Sequence, residues 1–143
     1  MEYRFRDEFQ FRGGVIQSPL GGISLHHGSP LDDLTELPLV DDALLLSGQR
    51  ESGLGFFGDL GLAGGAAASY EAYLVNGFAA DDTCGAGAAQ AVAARLELRP
   101  QPGLGLAASA HSGRCGAQGD GRLAVAALDV RAELGDLRLR GAL

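Results

Sequence analysis

The stretch AVAARLELRPQPGLGLAASAH, residues 91–111, decides the fold. From Val92 to Leu98, and again from Leu104 to Ala110, every even-numbered position is apolar. The charged and polar residues occupy odd-numbered positions, and Pro100-Gln101-Pro102 separates the two runs. Because side chains alternate between the two faces of a β-strand, the stretch predicts a hairpin with one apolar and one polar face.

The same period of two recurs along most of the chain. Outside the hairpin it predicts strands at Glu2–Phe5, Phe9–Ile16, Leu54–Leu62, Ala67–Asn76, Leu123–Leu134 and from Leu137 onward. No Arg, Asp or Glu lies on the apolar side of these predicted strand cores. We therefore expect an all-β fold, an antiparallel up-and-down meander of about seven or eight strands.

The predicted connections alternate in length. Tight turns are expected at 6–8, 63–66, 100–102 and 135–136, and long polar loops at 17–52, 77–87 and 112–121. Short turns at one end and long loops at the other are typical of an outer-membrane β-barrel. The pattern leaves two alternatives open, a soluble β-sandwich binding module and a small closed membrane barrel that is not a channel.

Composition narrows the class of protein. The 143 residues are enough for a single domain, expected over 1–143. The net charge of −7 argues against a nucleic-acid partner. No stretch approaches the roughly 20 apolar residues of a membrane-spanning helix, and residues 1–6 contain no apolar core of a signal peptide.

Two short motifs are rejected as sites of chemistry. Gly53, Gly55 and Gly58 match a dinucleotide-binding fingerprint by spacing, but that motif needs a strand before it and a helix after it. His26-His27 is a poor metal chelate, because adjacent residues of a strand point to opposite faces. We expect no metal, no cofactor and no enzymatic activity.

Three separated segments, residues 20–40, 51–58 and 70–78, resemble in order and spacing the Gram-negative outer-membrane porins of the phosphate-selective type. The resemblance implies a transmembrane β-barrel in the outer membrane that passes small hydrophilic solutes or ions by passive diffusion. It also implies contact with membrane lipid and assembly as a homotrimer. Such porins have about 16 strands, so the chain resembles an internal piece of a longer barrel.

In a porin the polar face of the strands lines the pore. The residues this predicts to line it are Arg12, Glu71, Arg95, Glu97, Arg99, Asp129, Arg131, Glu133, Arg138 and Arg140. Charged rings of mixed sign would set ion preference electrostatically. The alternative is that the same residues form the solvated face of a sheet.

The 17–52 loop is the second candidate site. Folded into the lumen it would narrow the pore and place carboxylates opposite arginines. The residues of this predicted constriction are His26, His27, Asp32, Asp33 and Glu36. The alternative is a surface loop whose leucines pack onto the rim, since long loops are either functional or disordered.

Cys84 and Cys115 are both expected in long loops at the same end of the meander. A disulfide between them would close a loop of ~30 residues and contribute roughly 3 kcal/mol of stability. Two free thiols are the alternative.

Overall fold

The computed structural model describes residues 1–21, 50–76, 90–115 and 121–143. A 3-10 turn, Ala63–Gly65, is the one helical segment in these ranges. The strands are β1 Glu2–Arg6, β2 Phe9–Gln17, β3 Arg50–Gly61, β4 Ala67–Val75, β5 Ala91–Gln101, β6 Leu104–Cys115, β7 Gly121–Leu134 and β8 Leu137–Ala142.

All eight strands belong to one antiparallel sheet whose order follows the chain. This confirms the prediction of an all-β antiparallel meander. Within the ranges given above, β1 pairs with β2 alone and β8 pairs with β7 alone. The sheet is therefore open between β1 and β8, and each of these strands presents an unpaired edge.

Several strands run further than the side-chain pattern predicts. Because β3 begins at Arg50, the predicted 17–52 loop was too long at its end. The predicted 112–121 loop was also wrong, since β6 ends at Cys115 and β7 begins at Gly121, leaving 116–120 between them. Backbone hydrogen bonds continue a ladder through small polar residues and glycines, which lack the apolar alternation that sequence reading depends on.

The connection between β7 and β8 is a two-residue turn, Gly135-Asp136, as predicted. Gly135 has φ +62°, a left-handed conformation that glycine adopts without steric cost. Gly103, at the turn between β5 and β6, likewise has φ +82°. These turns fix the register of both hairpins.

The sheet curls toward the face that carries Arg95 and His111, which we call the concave face. Glu51 Oε1 lies 3.1 Å from His111 Nε2, although β3 and β6 are three positions apart in the sheet. In a flat sheet three strand spacings of about 4.8 Å would separate them. Side chains that extend in parallel from a flat surface could not close that distance, so the contact requires strong curvature.

The opposite face, which carries Leu96 and Leu128, is the convex face. Its large apolar side chains are exposed, with Leu96 at 48% and Leu128 at 57% of full exposure. An aromatic ladder crosses β1, β2 and β3 on this face, with ring centroids 4.6–5.9 Å apart. Its members are Tyr3, Phe5, Phe9, Phe11 and Phe56. The fold therefore exposes its apolar face and encloses its charged face.

The glycines of β3 provide a test of this packing. A Cβ added at Gly55 would lie 2.7 Å from both Cα and Cδ1 of Tyr73, whereas one added at Gly61 would have no atom within 4 Å. We expect Gly55→Ala to lower the free energy of unfolding by about 1–3 kcal/mol, the usual cost of overpacking. Gly61→Ala in the same strand should change it by less than about 0.5 kcal/mol. Urea unfolding followed by circular dichroism measures both, and equal effects would contradict the packing described here.

Candidate functional site

All the residues that the sequence predicts to line a pore lie on the concave face. Cross-strand register determines this, because directly opposed residues share a face. Glu71 lies opposite Arg95, and Glu97 and Asp129 both lie opposite Ala107. The full set is Arg12, Glu71, Arg95, Glu97, Arg99, Asp129, Arg131, Glu133, Arg138 and Arg140. That they line a pore stays a prediction.

Arg95 is the buried centre of this face. Its Nη1 donates to Asp129 Oδ2 at 2.6 Å, and the two side chains are only 8% and 12% exposed. Arg95 Nη2 also lies 4.0 Å from Glu97 Oε2. The pair joins β5 to β7 diagonally across β6, where Arg95 lies opposite Ser109 and Asp129 lies opposite the small Ala107. A small side chain there leaves room for the guanidinium to reach the carboxylate.

Arg12, Tyr73 and Glu71 form a hydrogen-bonded chain on the neighbouring strands. Arg12 Nη1 donates to Tyr73 OH at 3.2 Å, and Tyr73 OH donates to Glu71 Oε2 at 2.8 Å. The Arg12 guanidinium also lies 4.3 Å from the ring centroid of Phe57, a cation–π contact. These contacts link β2 to β4 across β3, where Gly55 separates Arg12 from Tyr73 in the register.

Nearer the short turns the concave face is exposed to solvent. Arg99 Nη2 lies 3.4 Å from Asp59 Oδ1 with both side chains largely exposed, and Arg131 Nε lies 3.6 Å from Glu133 Oε1. Arg138 lies opposite Glu133, and Arg140 lies opposite Arg131. This zone is a mixed-sign surface that hydrophilic molecules can reach, and its exposed ion pairs add little stability.

Nearer the long connections the concave face is mostly apolar and is covered. Ile16, Val75, Ala91 and Ala93 pack around Tyr73 in one buried cluster. The sequence pattern missed this cluster because its members lie near strand ends, where the alternation is short. The face that the sequence predicts to be polar is therefore mostly apolar at the end with the long connections.

The covering segment is 18–21, which follows β2 and is buried throughout. Pro19 and Leu20 are fully buried, and the backbone N–H of Gly21 donates to Ser109 Oγ on β6 at 3.1 Å. The chain leaving β2 thus crosses the concave face to reach a strand four positions away in the sheet. The remainder of the predicted constriction, including His26, His27, Asp32, Asp33 and Glu36, lies outside the described residues.

Glu51 and His111, both buried, meet beneath this end of the face. Their side chains are only 2% and 1% exposed. The sequence pattern predicts a site at neither residue, because it places Glu51 in the 17–52 loop and His111 at a strand end where no catalytic partner can be identified. The alternation of side chains could have identified His111, because it occupies the next odd-numbered position after Ser109 in β6 and so lies on the same polar face.

The predicted disulfide cannot be followed to Cys84, which lies outside the described residues. Cys115 belongs to β6, where its backbone pairs with Gly121, and not to a long loop as expected. The ladder between β6 and β7 extends to that position because the connection contains only residues 116–120.

Across the described ranges, no group of three or more His, Cys, Asp or Glu side chains is arranged to hold a metal ion. No helix in those ranges is both long enough and apolar enough to cross a membrane.

Comparison with known proteins gives one informative match. No family model and no solved structure matches the chain. The chain is 30% identical over 82 residues to an uncharacterized protein of Aquifex aeolicus (strain VF5). The match covers 57% of this chain but only 18% of that relative. Because 82 residues are 18% of it, the relative is about 450 residues long.

The buried ion pair gives a test of the concave face. We expect Asp129→Asn to lower the free energy of unfolding by about 3–5 kcal/mol, because it removes the nearest and most buried counter-charge of the Arg95 guanidinium. Asp59→Asn, which removes the exposed partner of Arg99, should cost less than about 1 kcal/mol. Urea titration of both variants measures the difference, and a small effect at Asp129 would contradict a buried, structurally important pair.

Proposed function

We propose that this chain forms part of the wall of an outer-membrane β-barrel porin, through which small hydrophilic solutes or ions diffuse passively. The observation that carries the proposal is the distribution of charge between the two faces. The concave face holds paired charges, whereas the convex face presents exposed leucines, valines and phenylalanines. In water such a continuous apolar surface would be an association site, but against lipid it is the favourable arrangement.

Strand length supports the same proposal. A transmembrane β-strand needs about 9–11 residues. β2 and β4 have 9 residues, β5 has 11, β3 and β6 have 12, and β7 has 14. These six strands are long enough to cross the hydrocarbon layer, and the extra residues of the longest would extend beyond it. The edge strands β1, with 5 residues, and β8, with 6, are shorter.

The open edges and the length of the relative support a larger barrel. Edge strands β1 and β8 each present unpaired backbone groups, which cannot face lipid without a partner strand. A relative of about 450 residues has room for further strands that would pair with both edges. The resemblance of residues 20–40, 51–58 and 70–78 to porins agrees with this reading and extends the proposal to a homotrimer.

The concave face would then contact the solute. Its exposed zone carries Arg99, Arg131 and Glu133 on strands that surround one space, while the segment 18–21 fills the space at the other end. Solutes that hydrogen-bond to charged groups would pass the exposed zone most readily. The segment 18–21 would narrow the passage.

The deciding experiment uses the complete barrel, in which this chain is joined to the strands that pair with β1 and β8, diluted from urea into lipid vesicles. It should float with the vesicles, show a β-sheet circular dichroism spectrum, and give conductance steps in planar bilayers. A chain that is folded and monomeric in buffer without detergent would contradict the proposal and favour a soluble β-sandwich binding module. Insertion without conductance would favour a membrane barrel that is not a channel.

Charge placement on β7 gives a sharper test. Leu128 is exposed on the convex face and Arg131 on the concave face. In a bilayer, Leu128→Arg should weaken insertion by about 2–4 kcal/mol, because the charge enters the hydrocarbon layer. Arg131→Leu on the other face should leave insertion nearly unchanged.

Partition between urea-containing buffer and vesicles measures both variants. If Leu128→Arg inserted as well as the unmodified chain, the convex face would not be facing lipid.

A further inference from the structure

The convex face of β2–β8 carries charge at three positions, and all three are arginines. They are Arg50 at the start of β3, Arg114 near the end of β6 and Arg122 near the start of β7. Register places them on this face, because Arg50 lies opposite Gln17 and Arg114 lies opposite Arg122. No acidic residue shares the face within these strands, whereas the concave face carries both signs.

The three arginines lie at the same end of the sheet, where the longer connections leave the strands. The next convex position toward the middle of β6 is Ser112, and beyond it the face is apolar through Ala110, Ala108 and Leu106. The arginines therefore mark the border of the apolar band. Arginine side chains at such a border can keep the guanidinium in the polar layer while their methylene groups cover apolar surface.

Arg114 and Arg122 place two positive charges side by side at this border. They are directly opposed on neighbouring strands, and like charges in that position are destabilising. Arg122 Nε donates to Ser112 Oγ at 3.1 Å, which draws its guanidinium toward β6, the strand of Arg114. Within the described part of the chain neither arginine forms an ion pair with a carboxylate, and both are exposed.

We propose that Arg114 and Arg122 bind the phosphate group of an anionic membrane lipid, with Arg50 as a further contact on the same rim. The inference rests on the proposed function, since it takes the convex face to lie against lipid. Guanidinium groups bind phosphate oxygens through paired N–H donors, and a lipid whose tails cover the apolar band would place its phosphate at this border. The end of the sheet with the longer connections then lies in a leaflet rich in anionic lipid.

The experiment is native mass spectrometry of the full chain folded in detergent micelles. The micelles contain either phosphatidylglycerol or phosphatidylcholine with the same acyl chains, and the retained lipid is counted. We expect the unmodified chain to retain phosphatidylglycerol about tenfold better. The Arg114→Gln/Arg122→Gln variant should lose that preference, because each arginine near an anionic lipid layer contributes a several-fold gain in binding.

Two variants serve as controls. Arg138→Gln/Arg140→Gln removes the same charge from the concave face and should keep the tenfold preference. Arg114→Lys/Arg122→Lys keeps the positive charge and should keep most of the preference even if the glutamine variant folds poorly. Circular dichroism of each variant checks the fold.

Three results would overturn the proposal. One is equal loss of preference in the convex and concave double variants, and another is no preference in the unmodified chain. The third is displacement of phosphatidylglycerol by inorganic phosphate alone, which would indicate a site for free anions. In each of these the chain can still insert into vesicles, so the porin proposal is judged separately. A chain that retains neither lipid and is monomeric without detergent contradicts both.

Discussion

Contacts between strands that are not neighbours hold the sheet curled toward its charged face. Arg95 meets Asp129 across one intervening strand, and Glu51 meets His111 across two. Because the sheet curls in this direction, it encloses the charged side chains and leaves the apolar side chains outside. The exposed aromatic ladder, the covered end of the concave face and the arginine rim are all consequences of that choice of face.

Enclosing charges is costly unless each one has a partner. Removal of ions from water costs several kcal/mol per group, and good geometry with opposite charges offsets much of it. The buried Arg95 meets this condition, because Glu71 lies opposite it in the register and Asp129 accepts a hydrogen bond from its guanidinium. The opposite charges around the buried Arg95 therefore offset the cost of enclosing it, while stability comes from the backbone ladder and from whatever covers the convex face.

The two ends of the curled sheet differ in chemistry. At the end with short turns the concave face is exposed and mixed in charge, as at Arg99 and Glu133. At the other end the concave face holds an apolar cluster around Tyr73 and the buried Pro19 and Leu20, and the charged residues of the described strands on the convex rim are all arginines. In the proposed barrel this polarity gives the passage one wide and one narrowed end. It also gives the lipid-facing wall a defined orientation.

The sequence determined the strands, their antiparallel order and the separation of residues into two faces. A period of two in Val92–Leu98 and Leu104–Ala110 is enough for that, because side-chain direction in a strand depends on parity alone. It correctly grouped Arg12, Arg95 and Asp129 on one face. It places the start of β3 too late, at Leu54, and the end of β6 too early, before Ser112, because the backbone ladder continues there without an apolar signal.

Only the tertiary structure decided which face is enclosed. Parity cannot specify the direction of curvature, which depends on contacts between residues far apart in the chain, such as Glu51 with His111 and Gly21 with Ser109. Those contacts form when strands three or four positions apart approach each other, and no local pattern encodes the approach. The sequence therefore determined what each face is made of, and the long-range contacts determined which of them faces outward.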